Sequence, residues 1–251
     1  EIMGANLAEF RLFGIDVKVH WSFVLILAFG AFLYGSGPAG WLVGSLYGIV
    51  TMLLLFVCVT LHEYGHALTA RRFGIQTRSI LLLPIGGVAN LERMPEKPIQ
   101  ELLIVVAGPL VNFVIAALLV PLIFLAGGAS GLGQTRVFMD NLVQPGLLNL
   151  LLYLFLTNVL LGFFNLLPAF PMDGGRLLRS LLALAMPYVQ ATRIAVLVGR
   201  LMAVAFALYG IFSGNISLLL IAFFVYVGGS AELEAVSSRA VLRGVRAGSA
   251  V

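Results

Sequence analysis

The sequence predicts an all-α polytopic membrane protein. Of 251 residues, 61% are hydrophobic and only 10% are charged. Mean hydropathy is +1.06. The apolar residues also gather into runs close to the ~20 residues that a helix needs to cross a bilayer. A water-soluble domain of this length requires far more charge to cover its surface.

About six transmembrane helices follow from hydropathy. The first, residues 21–34, is short unless Val17–His20 joins it. The second, 41–71, exceeds the bilayer thickness, so its Arg71–Arg72 end protrudes. The others are 99–126, 147–167, 194–212 and 216–229. Between the second and third, the stretch around 77–94 contains Gly86-Gly87 among β-prone residues and reads as a small membrane-associated β-hairpin or re-entrant segment. Residues 1–229 form the transmembrane core, and 230–251 a polar cytoplasmic tail.

The basic residues orient this layout. With the N-terminus in the cytoplasm, Arg11, Lys18, Arg71, Arg72, Arg78, Arg93, Lys97, Arg176, Arg179, Arg193, Arg239, Arg243 and Arg246 all fall inside. Only Arg136 falls outside, and Arg200 lies within a span. So strong a positive-inside bias puts both termini in the cytoplasm of a cell (inner or plasma) membrane protein. It also accounts for the net charge of +4, leaving no basic excess for a nucleic-acid partner. One cysteine, Cys58, excludes a disulfide framework.

Near the cytoplasmic end of the second span stands His62-Glu63-Tyr64-Gly65-His66, an HExxH motif. On a helix it sets two histidines at i and i+4 on one face with a glutamate beside them, which suits zinc and a general base for hydrolysis. Ionisable groups at this depth are costly and mark function. A catalytic zinc takes three protein ligands and leaves one position open. Cys58 lies one turn before His62, but at ~1.5 Å rise per residue it is ~12 Å from His66 along the axis, too far to share one ion. His20 precedes Trp21 at an interface, where a histidine needs no special role. Of the eleven acids, Glu1, Glu9, Asp16, Glu92, Glu96, Glu101, Glu232 and Glu234 fall in cytoplasmic or interfacial segments. Asp140 falls on the far side. Asp173 remains, at the cytoplasmic end of the fourth span and at the depth of the motif. Topology nominates it as third ligand.

Asp173 sits in Asn165-Leu-Leu-Pro-Ala-Phe-Pro-Met-Asp-Gly-Gly-Arg176. Pro168 and Pro171 forbid regular helix, and Gly174-Gly175 permit unusual dihedrals. Irregular backbone at membrane depth is tolerated where it lines an enclosed or watery cavity, which would admit the water that hydrolysis consumes.

These residues resemble the site-2 proteases, zinc metalloproteases that cut transmembrane substrates within or near the membrane. The shared landmarks are the HExxH motif, the segment Asn165-x-x-Pro168-x-x-Pro171-x-Asp173-Gly174-Gly175, and six spans with a cytoplasmic N-terminus. Gly86-Gly87-Val88-Ala89 and Ala107-Gly108-Pro109-Leu110-Val111-Asn112 add to the likeness. The resemblance implies one zinc ion per chain (Zn2+) held by His62, His66 and Asp173, near the cytoplasmic side. It makes Glu63 the general base and acid that activates water and passes its proton to the leaving amine. Asn165 would contact substrate or steady the scissile carbonyl, or else cap backbone broken by the prolines. Gly86 and Gly87 would help present an unwound substrate by strand pairing, or form a plain interfacial loop. For Asn112 a hydrogen bond to a neighbouring helix and a role at the site both stand open. Arg200 either snorkels or pairs with an acid. Substrates would be single-span membrane proteins such as membrane-tethered regulators, reached within the lipid bilayer. No segment resembles an inserted PDZ domain. Members with this core often carry CBS domains after the last span, so 230–251 reads as a truncated linker to a removed regulatory region. The rivals are a metalloprotease of another clan using Glu232 or Glu234 as ligand, and a membrane protein that transports metal or acts only as a scaffold.

Overall fold

The structure, a computed structural model, describes residues 6–84, 86–92, 95, 97–128 and 144–248. Its elements in chain order are β1 (Asn6–Leu12), β2 (Ile15–His20), α1 (Phe23–Gly35), α2 (Trp41–Arg72), β3 (Thr77–Leu83), β4 (Gly86–Leu91), α3 (Pro98–Ile123), α4 (Leu147–Asn165), α5 (Asp173–Leu182), α6 (Tyr188–Ser213) and α7 (Ile216–Gly248). The expected positions of Glu1, Arg93, Glu96, Arg136 and Asp140, and the side chains of Arg243 and Arg246, lie outside the described residues.

Among the described residues, five helices are long and apolar enough to cross a membrane, with α1 a shorter apolar helix. The six apolar helices match the six expected spans in order. The first is short, as expected unless Val17–His20 joined it: those residues belong to β2, and its 13 residues reach only ~20 Å at ~1.5 Å per residue, less than a ~30 Å hydrocarbon core. The tail differs, because α7 continues as helix to Gly248 instead of ending near 229. The chain forms two compact units, Glu1–Met94 with Ala107–Gly162, and Pro95–Val106 with Phe163–Val251.

In the first unit the expected hairpin is half of a larger sheet. Strand order is β1-β2-β3-β4, with β2 and β3 parallel and both outer pairs antiparallel. The N-terminal segment, expected only to lie on the cytoplasmic side, is thus a strand pair. Its signal is the alternation Ile15, Val17, Val19 against Asp16 and Lys18, a period of two that puts one row on the core. Ile15, Val17, Ile80 and Leu82 pack on Tyr64 and Ala67 of α2. Tyr64 Oη donates to the Leu12 carbonyl at 2.9 Å, and the Phe13 ring meets the Tyr64 ring edge-on at 5.9 Å. The β1–β2 turn is therefore fastened to the HExxH turn itself. Farther along α2, Phe56 stacks edge-on with Phe23 of α1 at 4.5 Å.

In the second unit the segment between α4 and α5 is irregular, as the prolines require. Ala169 and Met172 pack into a core with Ala203 of α6 and Ala222 and Val225 of α7. Gly174 and Gly175 are helical and are not among the positive-φ glycines, which corrects the dihedral expectation. What they supply is smallness: a Cβ on Gly174 would lie 2.1 Å from the Leu167 carbonyl oxygen. Arg200 Nη2 donates to Ser230 Oγ at 3.1 Å and its guanidinium lies 5.2 Å over the Tyr226 ring.

The same unit encloses an ion cluster that the sequence did not announce. Arg179, fully buried, donates Nε to Glu101 Oε1 at 3.1 Å and pairs again with Glu101 and with Glu232. Its guanidinium stacks 5.2 Å over Phe170 and 4.9 Å over Tyr188. Burial opposes the Arg179 charge, yet the Glu101 carboxylate, with Tyr188 and Glu232, outweighs it and holds its pKa above the usual arginine value. Glu101, expected at an interface, is instead buried. Glu232, the alternative metal-ligating acid, is engaged by Arg179.

Candidate metal centre

The first unit builds its half of the centre on one turn of α2. His62 and His66 are both buried, and their Nε2 atoms converge to 3.1 Å. A tetrahedral zinc with Zn–N of ~2.05 Å would hold two ligand nitrogens ~3.3 Å apart, so the pair is spaced for one ion. Space for that ion depends on α3. A Cβ on Gly108 would fall 2.2 Å from His66 Nε2 and 2.7 Å from His62 Nε2. Any larger residue would thus crowd both donor atoms.

The other ring nitrogen of His62 is held from behind. His62 Nδ1 meets Asn112 Oδ1 at 2.5 Å, and Asn112 Nδ2 donates to Asn158 Oδ1 at 2.9 Å. Asn112 and Asn158 are fully buried. Asn112 therefore stands against a histidine of the motif through its side chain, which joins the two roles left open for it. Glu63 is half-buried and lies under β4: a Cβ on Gly87 would come 2.5 Å from Glu63 Cγ and 3.2 Å from its Oε1. Gly86, with φ 135°, opens that strand.

Cys58 and His20, set aside as ligands, have partners of their own. Cys58 is buried and hydrogen-bonds with the Asn158 side chain. His20 Nδ1 meets Ser22 Oγ at 2.6 Å in a local turn. Asn165 and Asp173 belong to the second unit. Asn165 is the last residue of α4 and Asp173 the first of α5, both half-buried. Asp173 is the acid in the first turn of α5, where the positive end of the helix macrodipole favours an acidic residue.

Two neighbours of the centre were missed from sequence. Asn158 carried a signal, an amide inside an apolar span, where polar side chains find partners on other helices. Gly108 carried none beyond its place in the Ala107–Asn112 stretch, since contact with a histidine on another helix is not encoded locally.

The profile of peptidase family M50 matches residues 50–206. The chain belongs to that family. M50 comprises the site-2 proteases, as the motifs implied. A zinc metalloprotease of Methanocaldococcus jannaschii is 37% identical over 245 residues, covering 98% of this chain and 66% of the relative. Stage IV sporulation protein FB of Bacillus subtilis is 30% identical over 164 residues, 65% of this chain and 50% of that protein. The solved structure of a site-2 protease from Methanocaldococcus jannaschii superposes with TM-score 0.62 at 37% identity, covering 90% of this chain and 94% of that one. The chain thus spans 66% and 50% of the two curated relatives' lengths. The M50 assignment brings with it the multi-pass membrane protein that composition predicted. The zinc expectation agrees with the archaeal relative's name and with the spacing of the two donor nitrogens.

Proposed function

We propose that this M50 chain is a membrane-embedded zinc endopeptidase that hydrolyses a peptide bond within or near the transmembrane segment of its substrates. The observation that carries the reading is the convergence of His62 and His66 Nε2 at 3.1 Å, with Glu63 on the same turn beneath β4. His62, His66 and Asp173 would hold the metal, a set of two imidazoles and one carboxylate that leaves one position open. Zinc, when bound, supplies a Lewis acid that polarises the scissile carbonyl and favours deprotonation of water.

The remaining work belongs to side chains. Glu63 takes a proton from the attacking water and returns it to the departing amine, with no covalent intermediate. Asn165 steadies the carbonyl or the substrate backbone. The Gly86–Gly87 end of β4, beside Glu63, offers a strand edge that is unpaired among the described residues, along which an extended substrate can add. Substrates must unwind locally, because a helical peptide bond is hydrogen-bonded and shielded. Their class is single-span membrane proteins such as tethered regulators, cut from the cytoplasmic side, with both chain termini in the cytoplasm.

The test is co-expression with candidate single-span proteins and mass spectrometry of the fragments. Wild type should cut and Glu63→Gln should not, while keeping its zinc. Cleavage by Glu63→Gln would sink the mechanism. Asp173→Ala should lose zinc; retained metal with full activity would exclude it as a ligand.

A further inference from the structure

We infer that Asn158 and Asn112 form a polarity relay that fixes which nitrogen of His62 faces the metal, making both positioning residues of the centre. The inference rests on the reading of His62 as a ligand. The relay starts at a group whose direction cannot change. Asn158 Nδ2 donates to the Leu154 carbonyl at 2.8 Å. A carbonyl only accepts, so the Asn158 amide is oriented with Oδ1 turned the other way. That oxygen also only accepts, and it takes Nδ2 of Asn112 at 2.9 Å. Asn112 is thereby oriented in turn, and its Oδ1 faces His62 Nδ1 at 2.5 Å.

An amide oxygen cannot donate, so His62 Nδ1 must carry the proton. In the neutral ring Nε2 then holds the lone pair, and Nε2 is the atom that converges with His66. The ring's tautomer is thus set by a backbone carbonyl on α4, three hydrogen bonds away. Both asparagines are fully buried, so water does not compete for these bonds. A flipped Asn112 would oppose its NH2 to the Nδ1 proton, which leaves only the tautomer that withdraws the lone pair from the metal. Outer-shell partners of metal-bound histidines act in this way, and their loss lowers metal affinity by about 10–100-fold.

The experiment uses the full chain purified in detergent and measures zinc affinity by competition with a chromophoric chelator. Melting temperature is recorded beside it. Asn112→Leu removes the acceptor and should weaken zinc about 10–100-fold. Asn112→Asp keeps an acceptor at His62 Nδ1 but sets its second oxygen against Asn158 Oδ1, so it should weaken zinc clearly less than Asn112→Leu does. Asn158→Leu keeps Asn112 but frees its amide to turn, and should weaken zinc as well. Equal weakening by Asn112→Asp and Asn112→Leu would overturn the proposal in favour of packing, as would wild-type affinity in Asn112→Leu or Asn158→Leu. If Asn112→Leu does not fold, Asn158→Leu, which leaves the His62 contact in place, carries the test. His62→Ala separates the two readings: retained zinc there would refute His62 as a ligand, whatever the asparagine variants do.

Discussion

Gly87 of β4 lies against Glu63 so closely that a methyl group on it would approach the glutamate Cγ to 2.5 Å. The contact joins a strand edge to the proposed general base. Gly87→Ala must push Glu63 aside, since Cγ lies too near the backbone to swing clear cheaply. A misplacement of about 1 Å can cost roughly 100-fold. Cleavage by Gly87→Ala should fall about 10–100-fold with zinc content unchanged, measured as turnover beside metal analysis. Unchanged turnover would show that Glu63 does not act from this position.

Gly108→Ala should empty the centre without unfolding its helix. Alanine is the better helix former by about 1 kcal/mol, yet its Cβ would lie 2.2 Å from His66 Nε2. The two imidazoles must turn away from each other. Zinc content should drop to background while circular dichroism shows undiminished helix. Stoichiometric zinc in this variant would contradict the packing described for α2 and α3.

Arg179→Met should be among the most destabilising single substitutions in the second unit. It leaves Glu101, nearly fully buried, and Glu232 without their shared cation. Removing one partner of a buried ion pair costs about 3–5 kcal/mol. A melting curve should show it. The triple change of Arg179→Met with Glu101→Leu and Glu232→Leu should recover much of the loss, because no unpaired charge remains.

Tyr64→Phe should release the β1–β2 turn with little effect on the metal. It removes one hydrogen bond, to the Leu12 carbonyl, worth about 0.5–1.5 kcal/mol. Limited proteolysis between Leu12 and Gly14 should become faster. Wild-type protection would mean that the Phe13–Tyr64 ring contact and the Arg71 Nη1 bond to the Phe13 carbonyl hold the turn without it.

The sequence disclosed most where chemistry is dense in a poor background. Two histidines and a glutamate stand out in an apolar stretch because an ionisable group in hydrocarbon is costly and points to function by default, and six apolar runs follow from the backbone's need to satisfy its own hydrogen bonds in lipid. The strand pair at 6–20 was hidden by shortness: six alternating residues beside apolar helices give a weak signal, and pairing of β2 with β3 joins segments separated by α1 and α2. Arg179 was hidden by its company. An arginine expected on the inside satisfies the expected positive-inside bias whether or not it is buried, and Glu101 and Glu232 lie far from it along the chain.

The motif His62-Glu63-Tyr64-Gly65-His66 was determined by sequence alone, since helical periodicity puts both rings on one face wherever the helix runs. Which nitrogen of His62 would face the proposed metal is decided only by tertiary structure. Neither helical periodicity nor residue identity sets a tautomer; it takes Asn112 from α3 and Asn158 from α4, each buried and each oriented by the next. Likewise Gly87 and Gly108 matter for what they leave empty, and that emptiness exists only once another element has been folded against it.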